Sequence, residues 1–264
     1  MIKHESVLLR QSVEGLDIKS NGIYIDATFG AGGHSKAIID KLNSNGRLIA
    51  FDQDLDVTEG LMDDPRLTLV RSNFRYMEYY LDYFGIEAVD GILADLGVSS
   101  HHLDTLSRGF SYRSMDHLDM RMNQDSNLKA SDILNEYDET SLVKLLSAYG
   151  EVRNAKTLAR SIVHARKDRP FDLVSDFVER ISGLIKGQRD RYLAQVFQAL
   201  RIEVNDELGA LQDLLVGARN RLRSGGRLSV ISFHSLEDTV RSFFNLQSSL
   251  TIVRSNFIDI IEVL

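Results

Sequence analysis

The fold is decided by the stretch Ile23-Tyr24-Ile25-Asp26-Ala27-Thr28-Phe29-Gly30-Ala31-Gly32-Gly33-His34. An apolar run typical of a buried strand passes directly into three glycines within four residues, and a helix-like segment, residues 35–42, follows at once. A strand, a tight turn and a helix in this order place backbone N–H groups against a ligand at the carboxyl end of a sheet, where open α/β folds bind nucleotides. The stretch therefore predicts a site for a nucleotide-like cofactor.

Two common phosphate-binding motifs fit this turn poorly. Gly30 and Gly32 match the first two glycines of the dinucleotide fingerprint, but Ser35 stands where the third glycine should be. The ATP-binding P-loop ends in Gly-Lys-Ser/Thr, whereas Lys36 here follows the serine. The dinucleotide match is incomplete and the P-loop is excluded.

Aspartates at the ends of predicted strands indicate the charge of the ligand. Asp26, Asp52 and Asp95 would surround a pyrophosphate with like charge, whereas S-adenosylmethionine carries a sulfonium, an ammonium and no phosphate. Asp52 follows the turn by about twenty residues, the spacing of a carboxylate that binds a ribose diol, and such a charge-assisted bond is worth roughly 1.5–3 kcal/mol. The alternative is that these acids cap strand ends, and we favour that alternative for Asp54 and Asp56.

The bulk composition is that of a globular α/β protein. The 264 residues, 43% of them hydrophobic, can bury one full α/β core with something left over. Residues 1–10 are too charged for a signal sequence and no apolar run approaches the length of a membrane span, so we expect a cytoplasmic protein without a membrane partner. The absence of cysteine excludes disulfides, thiolate metal sites and thiol nucleophiles.

The charge is divided unevenly along the chain. The net charge of −7 argues against a general nucleic-acid coat, yet residues 150–201 carry eleven Lys or Arg against six Asp or Glu. Either this region is a solvated helix face or it forms a surface that contacts phosphates. The basic residues that recur there at helical spacing are Arg153, Lys156, Arg160, Arg166, Lys167 and Arg169.

The order of apolar patterns predicts a doubly wound, Rossmann-like parallel sheet with an inserted all-helical domain. Strand-like runs occupy residues 22–27, 47–51, 67–70, 91–94 and 227–232, and only helical patterns lie between the last two. We expect residues 1–111 and 201–264 to form the cofactor-binding domain, and residues 112–200 to form a substrate-recognising insertion. In the tail, residues 250–253 and 257–264 are strand-like, and the sequence leaves open whether the last strands of the sheet are complete.

Two loops after predicted strands carry candidate catalytic residues. Asp95 and Ser99 follow the fourth strand, and His234 follows the fifth, so both loops should face the same crevice. Asp95 or Ser99 could hold a substrate proton, and His234 could relay one. The alternatives are an ordinary turn whose serine caps a helix and a packed structural histidine.

A third group of candidates lies where the insertion begins. Arg108, Phe110 and Arg121 interleave arginine with an aromatic ring, a combination that can stack a flipped base and hold its phosphates. His101 and His102 are adjacent on a loop and lack the spacing of a metal-binding pair, so we expect no metal.

The motifs, taken in this order, resemble the S-adenosylmethionine-dependent small-subunit ribosomal RNA cytosine-N4 methyltransferases, the MraW family. The resemblance spans nearly the whole chain and implies a class I methyltransferase sheet whose insertion helps to recognise RNA. It implies substrate contacts by Arg201 and Asn205, which lie in its segment FQALRIEVNDEL, together with Arg108, Phe110 and Arg121. The implied cofactor residues are Gly32, Gly33, His34, Asp52, Phe74, Asp95 and His102. The matching segments are His4 with residues 7–9, then residues 26–35, 95–100, 108–111, 118–122, 197–208 and 225–238.

The residues and the resemblance agree on the chemistry. Methylation at carbon 5 of cytosine normally needs a cysteine nucleophile, which this chain lacks, so an exocyclic amine, a ring nitrogen or a ribose hydroxyl remains as acceptor. The resemblance implies the N4 amine of a cytidine in 16S ribosomal RNA, near the decoding centre, presented as RNA or as a 30S particle. Two alternatives stay open: a nicotinamide dehydrogenase, and an inactive RNA-binding relative with a shortened tail. A homodimer is an open alternative to a monomer.

Overall fold

The computed structural model describes residues 8–54, 56, 63–231, 250–255 and 258–263. The chain forms two compact units, Met1–Gly97 with Leu208–Leu264, and Val98–Glu207. The second unit extends beyond the predicted insertion, residues 112–200, at both ends. At its start, the Arg108 side chain bonds backbone carbonyls of residues 121 and 122, and at its end, Arg201 pairs with Glu207.

The strands of the first unit form one sheet in the order β3-β2-β1-β4-β5-β7-β6. Strands β1 to β5 pair in parallel, and β7 pairs antiparallel with both β5 and β6. The predicted doubly wound sheet is confirmed. The strand-like residues of the tail form the two antiparallel strands β6 and β7. The strands are β1 (Ile23–Asp26), β2 (Arg47–Asp52), β3 (Leu67–Arg71), β4 (Val89–Asp95), β5 (Leu222–Ile231), β6 (Leu250–Ser255) and β7 (Ile258–Val263).

The helices are assigned to the two units by position along the chain. In the first unit they are α1 (Leu9–Gly15), α2 (Gly33–Ile39), α3 (Met77–Tyr83) and, after the second unit, α10 (Glu207–Arg221). In the second unit they are α4 (Ser100–Asp104), α5 (Ala130–Glu136), α6 (Glu139–Ala148), α7 (Ala155–Ala165), α8 (Val174–Ile181) and α9 (Arg189–Val204). Short 3-10 turns lie at Phe74–Tyr76, Leu106–Arg108 and Ser182–Leu184.

Alternating strand residues build a core on each face of the sheet. Tyr24 and Leu48 pack with α1 and α2 on one face, while Ile25 and Ile49 pack with α3 and α10 on the other. These side chains are fully or almost fully buried, which explains why the strands are apolar runs rather than alternating patterns. Because helices cover both faces of the sheet, the carboxyl ends of its strands are where a ligand can bind.

The second unit has its own helical core. In α8, the buried residues are Val174, Phe177, Val178 and Ile181, the spacing of a single apolar helix face. Helix α6 begins at a cap in which Asp138 accepts the Ser141 N–H at 2.7 Å. In the parts of the chain that the structure describes, no helix is long and apolar enough to cross a bilayer.

We predict that Gly109→Ala destabilises the second unit far more than Gly187→Ala. Both glycines are left-handed, with φ of 74° and 78°, but an added Cβ at position 109 would lie 2.4 Å from the His117 carbonyl oxygen, whereas position 187 is open. Left-handed backbone strain alone costs about 1 kcal/mol or more, and the clash adds to it. Urea unfolding of both variants measures the difference, and equal losses would contradict the close approach.

Candidate active site

The glycine turn after β1 is built from left-handed backbone. Gly30 and Gly32 have φ of 51° and 77°, a backbone region that residues other than glycine rarely adopt. Gly32 donates its N–H to the Phe29 carbonyl at 2.8 Å. The Phe29 N–H in turn bonds the Phe51 carbonyl of β2 at 2.8 Å, and α2 begins at Gly33. The predicted order of strand, tight turn and helix is therefore present, and the turn is bonded to the neighbouring strand.

Asp52 ends β2 beside this turn. Its Oδ2 accepts the Gly30 N–H at 2.8 Å, and its Oδ1 accepts the Asp54 N–H at 2.9 Å. A carboxylate has about four acceptor positions, so accepting backbone N–H groups does not by itself exclude a contact with a ribose diol. Capping and ligand binding are thus compatible at Asp52. Asp54 is buried and accepts the Asp56 N–H at 3.1 Å, which is the predicted capping contact.

Asp95 ends β4 at the same edge of the sheet. Its backbone N–H donates to the Thr28 hydroxyl oxygen at 2.7 Å, and its Oδ2 lies 3.9 Å from Nδ1 of the buried His34. Burial raises the pKa of Asp95 to about 6, although 28% of its side chain remains exposed. The carboxylate is therefore ionised at neutral pH and accessible to a ligand. Thr28 was missed by sequence reasoning, because a threonine in a turn carries no distinctive signal.

Asp26, the last residue of β1, is buried beneath the turn. Its Oδ2 accepts the Ser35 hydroxyl at 2.6 Å and its Oδ1 accepts the Thr28 N–H at 3.1 Å. Burial raises the pKa of Asp26 to about 7, and the negative charges of Asp95 and Asp52 add to the rise against the effect of the two hydrogen bonds. The negative field that the sequence predicts is therefore present at this edge.

Phe74 completes the group of predicted cofactor residues in the first unit. It is the first residue of the 3-10 turn that follows β3, and its half-buried ring packs on the α3 and α10 side of the core. The glycine turn, Asp52, Phe74 and Asp95 follow β1, β2, β3 and β4 in that order. The structure thus brings them to one carboxyl edge, where doubly wound folds bind ligands.

Ser99 and His102 belong to the second unit and bond each other. The His102 N–H donates to Ser99 Oγ at 3.3 Å, and the Ser99 N–H donates to His102 Nδ1 at 3.2 Å, a capping box at the start of α4. The His102 ring is buried, with its centroid 4.8 Å from that of Phe110. This geometry favours the capping alternative for Ser99. His234 lies outside the described residues.

Arg108 and Asn205 support a loop in the interior of the second unit. Arg108 donates through Nη2 to the carbonyls of Arg121 and Met122 at 2.8 and 3.1 Å. Asn205 accepts the Met122 N–H at 2.7 Å and donates to the Met120 carbonyl at 2.8 Å. We infer that these two side chains shape the loop, and a substrate contact by either of them stays a prediction.

The other expected substrate residues are engaged in a similar way. Phe110 is only 6% exposed and packs in the core of the second unit, and its contact with a base stays a prediction. Arg121 bonds the Asp119 carboxylate at 2.7 and 2.8 Å, and Arg201 bonds Glu207 at 2.6 and 3.0 Å. Sequence patterns identify such arginines but cannot reveal that their partners lie within the chain.

The fold and site are those of a class I methyltransferase. Its features here are the doubly wound sheet with this strand order and an antiparallel β7, the glycine turn after β1 and the carboxylate at the end of β2. The chain belongs to the MraW methylase family, whose model matches residues 1–261. It is thus an S-adenosylmethionine-dependent methyltransferase, and the dehydrogenase alternative is excluded. Among the described residues, no group of three or more His, Asp or Glu could hold a metal ion.

Curated relatives share about half of their residues with this chain. Ribosomal RNA small subunit methyltransferase H of Azobacteroides pseudotrichonymphae is 50% identical over 242 residues, covering 91% of this chain and 80% of that protein. The protein of that name from Porphyromonas gingivalis is 54% identical over 241 residues, covering 90% and 78%. The Bacteroides fragilis protein is 45% identical over 272 residues, covering 97% and 90%.

We predict that Asp26→Asn removes a pH dependence of stability between about pH 4 and pH 7. In wild-type protein the unfolded carboxyl ionises near its ordinary pKa of 3.8 whereas the folded one stays protonated to about 7, so stability is full below pH 4 and is lost as the pH rises to 7. The loss is on the order of a few kcal/mol. Urea unfolding at pH 4.5 and 7.5 measures it, and parallel pH profiles for both proteins would contradict the assignment.

Proposed function

We propose that this protein transfers a methyl group from S-adenosylmethionine to the exocyclic N4 of a cytidine in 16S ribosomal RNA, near the decoding centre. The substrate is small-subunit RNA or the 30S particle, and the reaction takes place in the cytoplasm. The observation that carries the proposal is the contact between Asp52 and the Gly30 N–H in a member of the MraW methylase family. The names of the curated relatives support ribosomal RNA as the substrate.

The charge at the carboxyl edge fits the methyl donor. Burial is the main cause of the raised pKa of Asp26, and the negative charges of Asp95 and Asp52 add to it. Carboxylates at this edge favour a ligand that carries a sulfonium and an ammonium. When bound, the donor supplies an electrophilic methyl group on positive sulfur. The Gly32–His34 turn would hold it with Asp52 at the ribose diol, Phe74 at the adenine and Asp95 nearby.

Catalysis in this site depends on alignment. The N4 amine is a weak nucleophile because its lone pair is delocalised into the ring, so its orientation toward the methyl group matters most. Asp95, ionised at neutral pH, can accept a hydrogen bond from an N4 proton and stabilise the positive charge that develops on the amine. The catalytic roles of Ser99 and His234 stay predictions from the sequence alone.

RNA phosphates would be contacted by the exposed part of the basic region. Arg166 donates to the carbonyls of Leu134 and Tyr137, and Arg169 pairs with Asp176, so these two arginines serve the helical unit itself. Arg153 and Lys156 are exposed, and neither has an ion pair among the described residues. We therefore assign phosphate contact to the start of α7.

The direct test is methylation of purified 30S particles and of free 16S RNA, followed by mass spectrometry of the nucleosides. N4-methylcytidine at one position is the expected product. Methyl transfer to another atom would overturn the N4 assignment. Binding of both donor and particle without transfer would support an inactive relative instead.

We predict that Asp52→Asn raises the Kd for S-adenosylmethionine about 10- to 100-fold, because a charge-assisted hydrogen bond to the ribose is lost. Asp54→Asn is the matched control. It makes the same substitution two residues further along the chain, at a carboxylate that caps the Asp56 N–H. Titration calorimetry measures both. Equal affinities in the two variants would mean that Asp52 acts only in closing the glycine turn.

We predict that Arg153→Glu with Lys156→Glu weakens RNA binding and reduces the salt slope, log Kobs against log salt, by about two. Lys19→Glu with Lys41→Glu, at two exposed residues of the first unit, makes the same change of four in net charge and serves as the control. Filter binding at several salt concentrations gives the slopes. A slope that does not move would identify the start of α7 as solvated surface.

A further inference from the structure

A side-chain bridge joins two loops at the carboxyl edge. The loop after β2 carries Gln53 next to Asp52, and the loop after β3 carries Asn73 next to Phe74. Asn73 Nδ2 donates to Gln53 Oε1 at 2.9 Å, so the residues flanking two proposed cofactor contacts are bonded to each other.

The bridge lies beyond the end of the sheet ladder. The last register pair between β2 and β3 is Asp52 with Arg71, after which backbone pairing no longer fixes the distance between the chains. The Gln53 and Asn73 side chains therefore take over where the backbone ladder stops.

Asn73 also determines the shape of the turn that presents Phe74. Its Oδ1 accepts the Arg75 N–H at 2.9 Å and caps the 3-10 turn Phe74–Tyr76, with the extended backbone typical of a cap, φ −67° and ψ 136°. One side chain thus sets the turn through its oxygen and ties that turn to the β2 loop through its nitrogen.

We propose that Asn73 and Gln53 are positioning residues that set the spacing between Asp52 and Phe74 for the adenosine part of the donor. The inference rests on the proposed placement of that donor along the carboxyl edge. A ligand held at its ribose by one loop and at its base by another binds more tightly when the loops are already at the required distance. Neither side chain needs to touch the ligand itself.

A double-mutant cycle on the full chain tests the proposal. Gln53→Ala removes the acceptor, and Asn73→Ser keeps a side-chain oxygen for the cap but is too short to reach Gln53. Each single variant should raise the Kd for S-adenosylmethionine about three- to tenfold, the worth of one net hydrogen bond. The double variant should bind no more weakly than the weaker single variant, because both changes break the same bridge.

Asn43→Ser provides a matched structural control. Asn43 accepts the Asn45 N–H at 2.8 Å and donates to Ser20 Oγ at 3.2 Å, the same pair of bonds, but it precedes β2 at the opposite edge of the sheet. This variant should lower Tm in the absence of donor as much as Asn73→Ser does and leave the Kd unchanged.

Two outcomes would overturn the proposal: an unchanged Kd in Asn73→Ser, or additive losses in the double variant, which would indicate two independent ligand contacts. A chain that shows the expected coupling but methylates no ribosomal RNA would support the bridge and contradict the proposed function. The experiments therefore distinguish a failure of the bridge proposal from a failure of the proposed function.

Discussion

Three neighbouring strands of the sheet, β1, β2 and β4, end in aspartate, and the crowding of these three carboxyl groups at one edge is the constraint on which the site depends. Like charges at such an edge are unfavourable unless hydrogen-bond donors hold them. The protein supplies the donors from its own turn: the Gly30 N–H to Asp52, and the Thr28 N–H and Ser35 hydroxyl to Asp26. These hydrogen bonds hold the carboxyl groups in place before a positively charged ligand binds.

The glycines and the aspartates depend on each other. Gly30, whose left-handed backbone turns the chain toward α2, donates its N–H to Asp52, and Thr28, between Asp26 and Gly30, bonds both Asp26 and the backbone of Asp95. A substitution in the turn would therefore displace carboxylates on neighbouring strands as well as the cofactor contact. This coupling explains why the most informative part of the sequence is a single short stretch.

Most of the first unit could be predicted from the sequence, because strands buried on both faces are apolar runs that end in Asp26, Asp52 and Asp95. The second unit was predicted as helical, but the roles of its polar residues were not. Phe110 and Arg108 have the composition of an RNA contact, yet tertiary packing buries the ring and directs the guanidinium to backbone carbonyls. The bonds of Thr28 to Asp95 and of Asn73 to Gln53 could not be predicted, because they join residues that are distant in sequence and of types common in turns.

A crystal structure of the protein with S-adenosylmethionine bound would test the central claim most directly. The account predicts the ribose hydroxyls within hydrogen-bond distance of the Asp52 carboxylate, the adenine against Phe74 and the sulfonium on the side of Asp95. A donor bound elsewhere, or an anionic ligand such as a pyrophosphate seated on the glycine turn among these carboxylates, would contradict it.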